Sequence, residues 1–176
     1  MREARDFAGA EAKALEALAL LPGQGAPGRD RALPLLDSLA WTLAMAGRNA
    51  EAFPYLDEAI SVSARLLGHD HAGTLARKVN MGMVMVLSGR SDEGLALLEE
   101  AADASAELLG REDPRTLAAR TAVGAALSQC RRHERAVEVF RDVLAVAARL
   151  GSGDGPMVVS ARANLRRAEE FLGGLG

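Results

Sequence analysis

The hexapeptide MGMVMV, residues 81–86, alternates methionine with glycine and valine. A period of two is a strand signature, and three thioethers at i, i+2 and i+4 suggest a soft-metal site. Both readings fail once the flanking sequence is laid out in register. Residues 47–88 placed over 89–130 without a gap share 15 identities. GRNAEA at 47–52 lies over GRSDEG at 89–94, and RRHERA follows at 131–136; LLGHDHAGTLA at 66–76 lies over LLGREDPRTLA at 108–118. Every offset is 42 residues. The hexapeptide lies over VGAALS, residues 123–128, inside a repeating unit, and reads as helix. On a helix Met81 and Met85 share one face, while Met83 points about 200° away. The three sulfurs cannot meet on one ion, so Met81 and Met85 read as core and Gly82 and Gly124 as packing positions.

Each unit reads as two helices. Gly47 and Gly89 fall at the turn inside a unit, and Gly68 and Gly110 at the end of its second helix, where a left-handed or open backbone is needed. Asp113 before Pro114 is a strong helix start; His71 and Ala72 in the same slots make a weaker one. The register predicts eight helices, at about 3–21, 30–46, 50–67, 73–88, 92–109, 115–129, 133–150 and 156–172. The chain is then one all-α domain: an N-terminal half-unit and linker at 1–29, units at 30–71, 72–113 and 114–155, and a capping helix at 156–176.

Composition narrows the function. The apolar share is 49%, mostly Ala and Leu, with only six aromatic residues, among them the single tryptophan, Trp41. The six prolines fall in linkers or near helix starts. The net charge of −3 and the scattered arginines argue against a nucleic-acid partner. One cysteine excludes an internal disulfide and is compatible with a reducing compartment. No apolar run approaches the roughly 18 residues of a membrane span, and the charged N-terminus MREARDF is no signal peptide. The sequence therefore predicts a cytoplasmic protein with no membrane partner.

These helix pairs, with an N-[LM]-[GA] core, GR-x-x-EA at the turn and LG-x-[DE]-[HD]-[AP]-x-T-L between units, resemble tetratricopeptide repeats (TPR). The 42-residue unit is similar to that of kinesin light chains and many bacterial regulators. The resemblance spans about residues 30–172. It departs at Gly94, where alanine is usual, at Arg131, where glycine is expected, and at the N-terminus, which starts on a second-type helix. That last feature suggests a fragment of a longer protein or an improvised cap. The resemblance implies a right-handed α-solenoid of antiparallel helix pairs whose first helices line a concave groove. Carried over slot by slot, the groove residues are Asp37, Ser38, Trp41, Met45, Val79, Asn80, Met83, Val86, Thr121, Ala125, Ser128, Asn164 and Arg167. They run from an apolar end to a charged one.

Other motifs carry less. His69 and His71 have a metal-like spacing, but no third ligand stands nearby. GSGDG at 151–155 is glycine-rich before a helix, without the lysine of a phosphate loop. Cys130 sits beside Arg131 and Arg132 but shares a slot with Ala46 and Ser88, which says packing. Glu99–Glu100 and Glu169–Glu170 are adjacent and diverge on a helix. No catalytic constellation emerges, and neither a cofactor nor a metal is expected. The expected function is a non-catalytic, regulatory scaffold that binds a protein or peptide. The competing expectation is a sensor for a small apolar ligand, or an accessory domain of a larger bacterial signalling or biosynthetic system. Leu15, Leu18 and Leu21 lack a covering helix in this scheme, which predicts a homodimer through one solenoid end.

Overall fold

The computed structural model describes residues 2–23, 28–151, 153 and 155–174, with side chains from residue 8 onward. Among the described residues it holds eight α-helices and no strand: α1 (Arg2–Ala19), α2 (Leu33–Met45), α3 (Asn49–Leu67), α4 (Ala72–Leu87), α5 (Ser91–Leu109), α6 (Pro114–Gln129), α7 (His133–Arg149) and α8 (Pro156–Gly173). A 3-10 turn, Arg29–Ala32, leads into α2. Residues 81–86 are helical, inside α4. Each helix packs on the next in sequence, and α4 also packs on α6 and α6 on α8. The result is a right-handed α-solenoid of antiparallel helix pairs.

The turns explain the register. At all three intra-unit turns a residue in the left-handed region follows the first helix: Gly47 at φ 76°, Gly89 at 89° and Arg131 at 59°. The next N–H then reaches back five residues, from Arg48 to the Leu43 carbonyl, Arg90 to Met85 and Arg132 to Leu127, each at 2.9 Å. That bond satisfies carbonyls the helix end leaves open. The third turn is thus built as the other two, with arginine doing what glycine does elsewhere.

Helix starts repeat as well. Asp113 Oδ1 accepts the N–H of Arg115 at 2.8 Å. His71, in the matching slot, accepts the N–H of Gly73 through Nδ1 at 3.0 Å. The imidazole therefore caps α4 as the carboxylate caps α6, so this start is better than its sequence suggests. Pro54 corrects another expectation, since it lies inside α3, a turn beyond its start. A repeated polar bond ties successive pairs. Thr74 Oγ1 donates to the Gly68 carbonyl at 2.8 Å and meets Ser63 Oγ at 2.8 Å. Forty-two residues on, Thr116 Oγ1 donates to the Ser105 carbonyl at 3.0 Å.

The interior divides into two clusters. The N-terminal one gathers Leu36, Leu39, Leu43 and Leu56 with Met81 and Val84 of α4. The C-terminal one gathers Leu98, Leu117, Leu127, Phe140 and Val143 with Val86 of the same helix. Met85 packs beside the first cluster and Met83 beside the second. Of the three N-terminal leucines, Leu18 is buried, Leu21 half-buried and Leu15 exposed.

Candidate functional site

Helix α2 buries Leu36, Leu39, Ala40 and Leu43. The residues on its other side face solvent as a consequence of the 3.6-residue period. Trp41 is 65% exposed and Met45, one turn on, 54%. Ser38 is exposed beside them. Asp37 is engaged: its carboxylate accepts from Arg77 Nε at 3.1 Å and Nη2 at 2.6 Å, bridging α2 to α4.

Along α4, Asn80 is exposed, while Val79 and Met83 are half-buried against the C-terminal cluster. Met83 is therefore no open continuation of the Trp41 face. Val86 must be corrected outright. It is 7% exposed and belongs to the core. Its side chain lies beside Gly94, where a Cβ would come within 2.8 Å of it. Thr121 is corrected too: it is 8% exposed, and its hydroxyl donates to the Leu117 carbonyl at 2.8 Å.

The remaining groove residues come together. Ala125 and Ser128 of α6, with Asn164 and Arg167 of α8, line one cavity of about 470 Å³. Sequence reasoning missed the other five lining residues: Gln129 and Ala168, Arg131 at the turn, His133 at the start of α7 and Phe171 near the end of α8. The His133 and Phe171 rings stack with centroids 4.8 Å apart and planes 5° from parallel. His133 is 8% exposed. Its Nδ1 and the Ser128 Oγ are buried without a hydrogen-bond partner among the described residues. The one sequence signal was arginine in a glycine slot at 131.

Among the described residues, no three His, Cys, Asp or Glu side chains gather as a metal site. No helix there is long and apolar enough to cross a membrane. Cys130 is half-buried at the end of α6. Ser152 and Asp154 of the glycine-rich stretch lie outside the described residues.

Two family models, each of the tetratricopeptide repeat, match residues 35–73 and 75–149. The chain is a tetratricopeptide-repeat protein. Solved TPR structures share the fold. A Podosopora anserina protein of kinesin-light-chain type, with nearly identical TPR-like repeats, superposes with a TM-score of 0.68 at 22% identity, over 98% of this chain and 80% of that one. A point variant of that protein gives 0.70 at 22% identity, over 98% and 79%. BtubC (BKLC) from P. vanneervenii gives 0.72 at 20% identity, over 97% and 67%. No curated protein matches the sequence significantly. TPR arrays are in general non-catalytic scaffolds for protein interaction.

Proposed function

We propose that this TPR protein is a regulatory scaffold that binds a protein or peptide along the face formed by its first helices, without chemistry of its own. The observation that carries the reading is Trp41, a large aromatic ring held 65% in solvent on a helix whose other side is fully packed. Met45 extends the apolar strip by a turn, Ser38 offers a hydrogen-bonding group beside it on α2, and Asn80 is exposed on α4. Tryptophan dominates interface energies because it buries a large area with little rotamer entropy. An exposed ring on an open helix face suits a broad polypeptide partner better than an enclosed apolar ligand. The same reading takes 30–71, 72–113 and 114–155 as units of one cytoplasmic domain.

Trp41 is the only tryptophan, so its emission reports directly on the site. Peptides selected from a displayed random library against the protein should shift that emission on binding. Trp41→Ala should weaken the selected peptides by about 2 kcal/mol or more. Asn80→Ala should weaken them to a lesser degree. Emission that never moves, with peptides that bind Trp41→Ala equally well, would remove this face as the binding site.

A further inference from the structure

The cavity between the α6–α7 turn and α8 has a chemistry unlike that of the Trp41 face. Arg131 and Arg167 both line it, and no acidic side chain does. Neither guanidinium has an ion pair among the described residues, whereas neighbouring arginines do: Arg132 with Asp92 at 2.6 Å, Arg135 with Glu99 at 2.9 Å and Arg141 with Glu169 at 2.7 Å. Glu134 and Glu170 flank the cavity in sequence without lining it.

The α7 start adds to this. The first and second turns are followed by Arg48–Glu51 and Arg90–Glu93 pairs, which place a carboxylate on the first turn of the next helix. In the third unit that carboxylate is replaced by Arg135. The positive end of the 17-residue α7 thus keeps one carboxylate, Glu134, and gains a cation in the slot that Glu51 and Glu93 occupy. Oxyanions are stabilised at such ends.

His133 gives the independent sign of a missing partner. It makes no hydrogen bond among the described residues, and Nδ1 is buried while Nε2 is not. A buried bare acceptor is the cheaper state, which puts the proton on Nε2, the accessible nitrogen. Phe171 stacked flat on the ring holds it in place. His133 therefore lines the cavity with neither ring nitrogen hydrogen-bonded among the described residues, and Nε2–H is the donor left open to a ligand there.

Arg131 adds a third observation. It holds φ at 59°, a strained value for a side chain larger than glycine, where both equivalent turns use glycine. Strain of this kind persists at functional sites, and here it delivers a guanidinium to the cavity.

We propose that this cavity binds a small molecule bearing a phosphate or carboxylate, its oxyanion held by His133 Nε2–H and the guanidiniums of Arg131 and Arg167. A volume of about 470 Å³ falls in the usual range for small-molecule sites, roughly 300–1,000 Å³. Nothing in the proposal depends on Trp41, so its failure and that of the scaffold reading are separable.

The test is a titration of the whole chain with inorganic phosphate and, separately, succinate, at ionic strength fixed with chloride. It is followed by NMR of the His133 ring and the arginine side chains. Saturable shifts at His133, Arg131 and Arg167 with at least one probe are expected, and the probe that acts assigns phosphate or carboxylate. Arg167→Gln should weaken that binding at least about tenfold. His133→Asn, which installs the residue of the matching slot at Asn49, should weaken it as well. Arg131→Gly should weaken binding while raising Tm by roughly 2–4 °C, which excludes misfolding as the cause. No shift beyond the chloride control with either probe, or equal binding by Arg167→Gln and Arg131→Gly, overturns the proposal.

Discussion

Gly82 and Gly94 face each other across α4 and α5 so closely that a Cβ on Gly94 would lie 2.6 Å from the Gly82 carbonyl oxygen. A Cβ on Gly82 would in turn meet the Gly94 carbonyl at 2.9 Å and Leu98 at 2.7 Å. The obstacles on each side include backbone, which cannot swing away. Gly94→Ala should therefore destabilise the protein by about 1–3 kcal/mol through overpacking, although alanine is the better helix former. Gly9, inside α1 with nothing within 4 Å of its added Cβ, is the control. Gly9→Ala should stabilise by about 0.5–1 kcal/mol. Urea denaturation of the two variants checks the pair, and a neutral Gly94→Ala would contradict the close approach.

Thr74 has one hydroxyl proton, and the Gly68 carbonyl takes it. Ser63 must then be the donor in the Ser63–Thr74 contact, while its oxygen faces Arg77 Nη1 at 3.4 Å. Thr74→Val keeps the shape and takes the acceptor from the Ser63 hydroxyl, in a site that is 0% exposed at both residues. A loss of about 1–3 kcal/mol follows. Thr74→Ser, which keeps the hydroxyl, should recover most of it in the same denaturation assay.

Arg29 and Glu58 form an ion pair at 2.6 Å with side chains only 10% and 9% exposed. Arg29 Nη1 also donates to the Pro22 carbonyl at 3.1 Å, fastening the linker before α2. Arg29→Ala should cost about 1–3 kcal/mol, because a largely buried carboxylate loses a charged hydrogen-bond donor. Adding Glu58→Ala should return part of that loss. A double-mutant cycle whose effects simply add would show the pair to be uncoupled.

The Arg115 side chain, and then its backbone N–H, hold the Asp113 carboxyl below the usual carboxylate range. A depressed folded-state value means stability that is present above the unfolded value, about 3.9, and is lost as pH falls through the folded one. The stability gap between wild type and Asp113→Ala should thus be constant from neutral pH to about 5 and shrink below about 4. Thermal melts across that range measure it. A gap that widens in acid would be the wrong sign.

Helix positions were legible because a 42-residue repeat supplies three readings of every slot, and the alternation in MGMVMV could be overruled by VGAALS beneath it. The side of a helix that a residue occupies follows from its slot. How closely the neighbouring helix comes does not. Val86 is buried because Gly94 lets α5 approach, and that is a property of the pair. The Asp37–Arg77 bridge spans 40 residues between helices, so neither sequence window shows it. His133 and Phe171 meet only when α7 and α8 pack, so their stacking was invisible. Arg131 stood out as a departure from the pattern, but its strained φ and its place at a cavity needed coordinates.

The divided interior sets how the molecule can come apart. Helix α4 gives Met81 and Val84 to one cluster and Val86 to the other, so it is the party wall of two rooms. Opening in repeat arrays proceeds by neighbouring units rather than all at once. Fraying of α1 to α3 would strip one side of α4 while α5 to α8 kept the other side seated. The Trp41 face could then breathe on its own timescale while the His133 cavity stayed closed, and amide exchange would register the two ends as separate clocks.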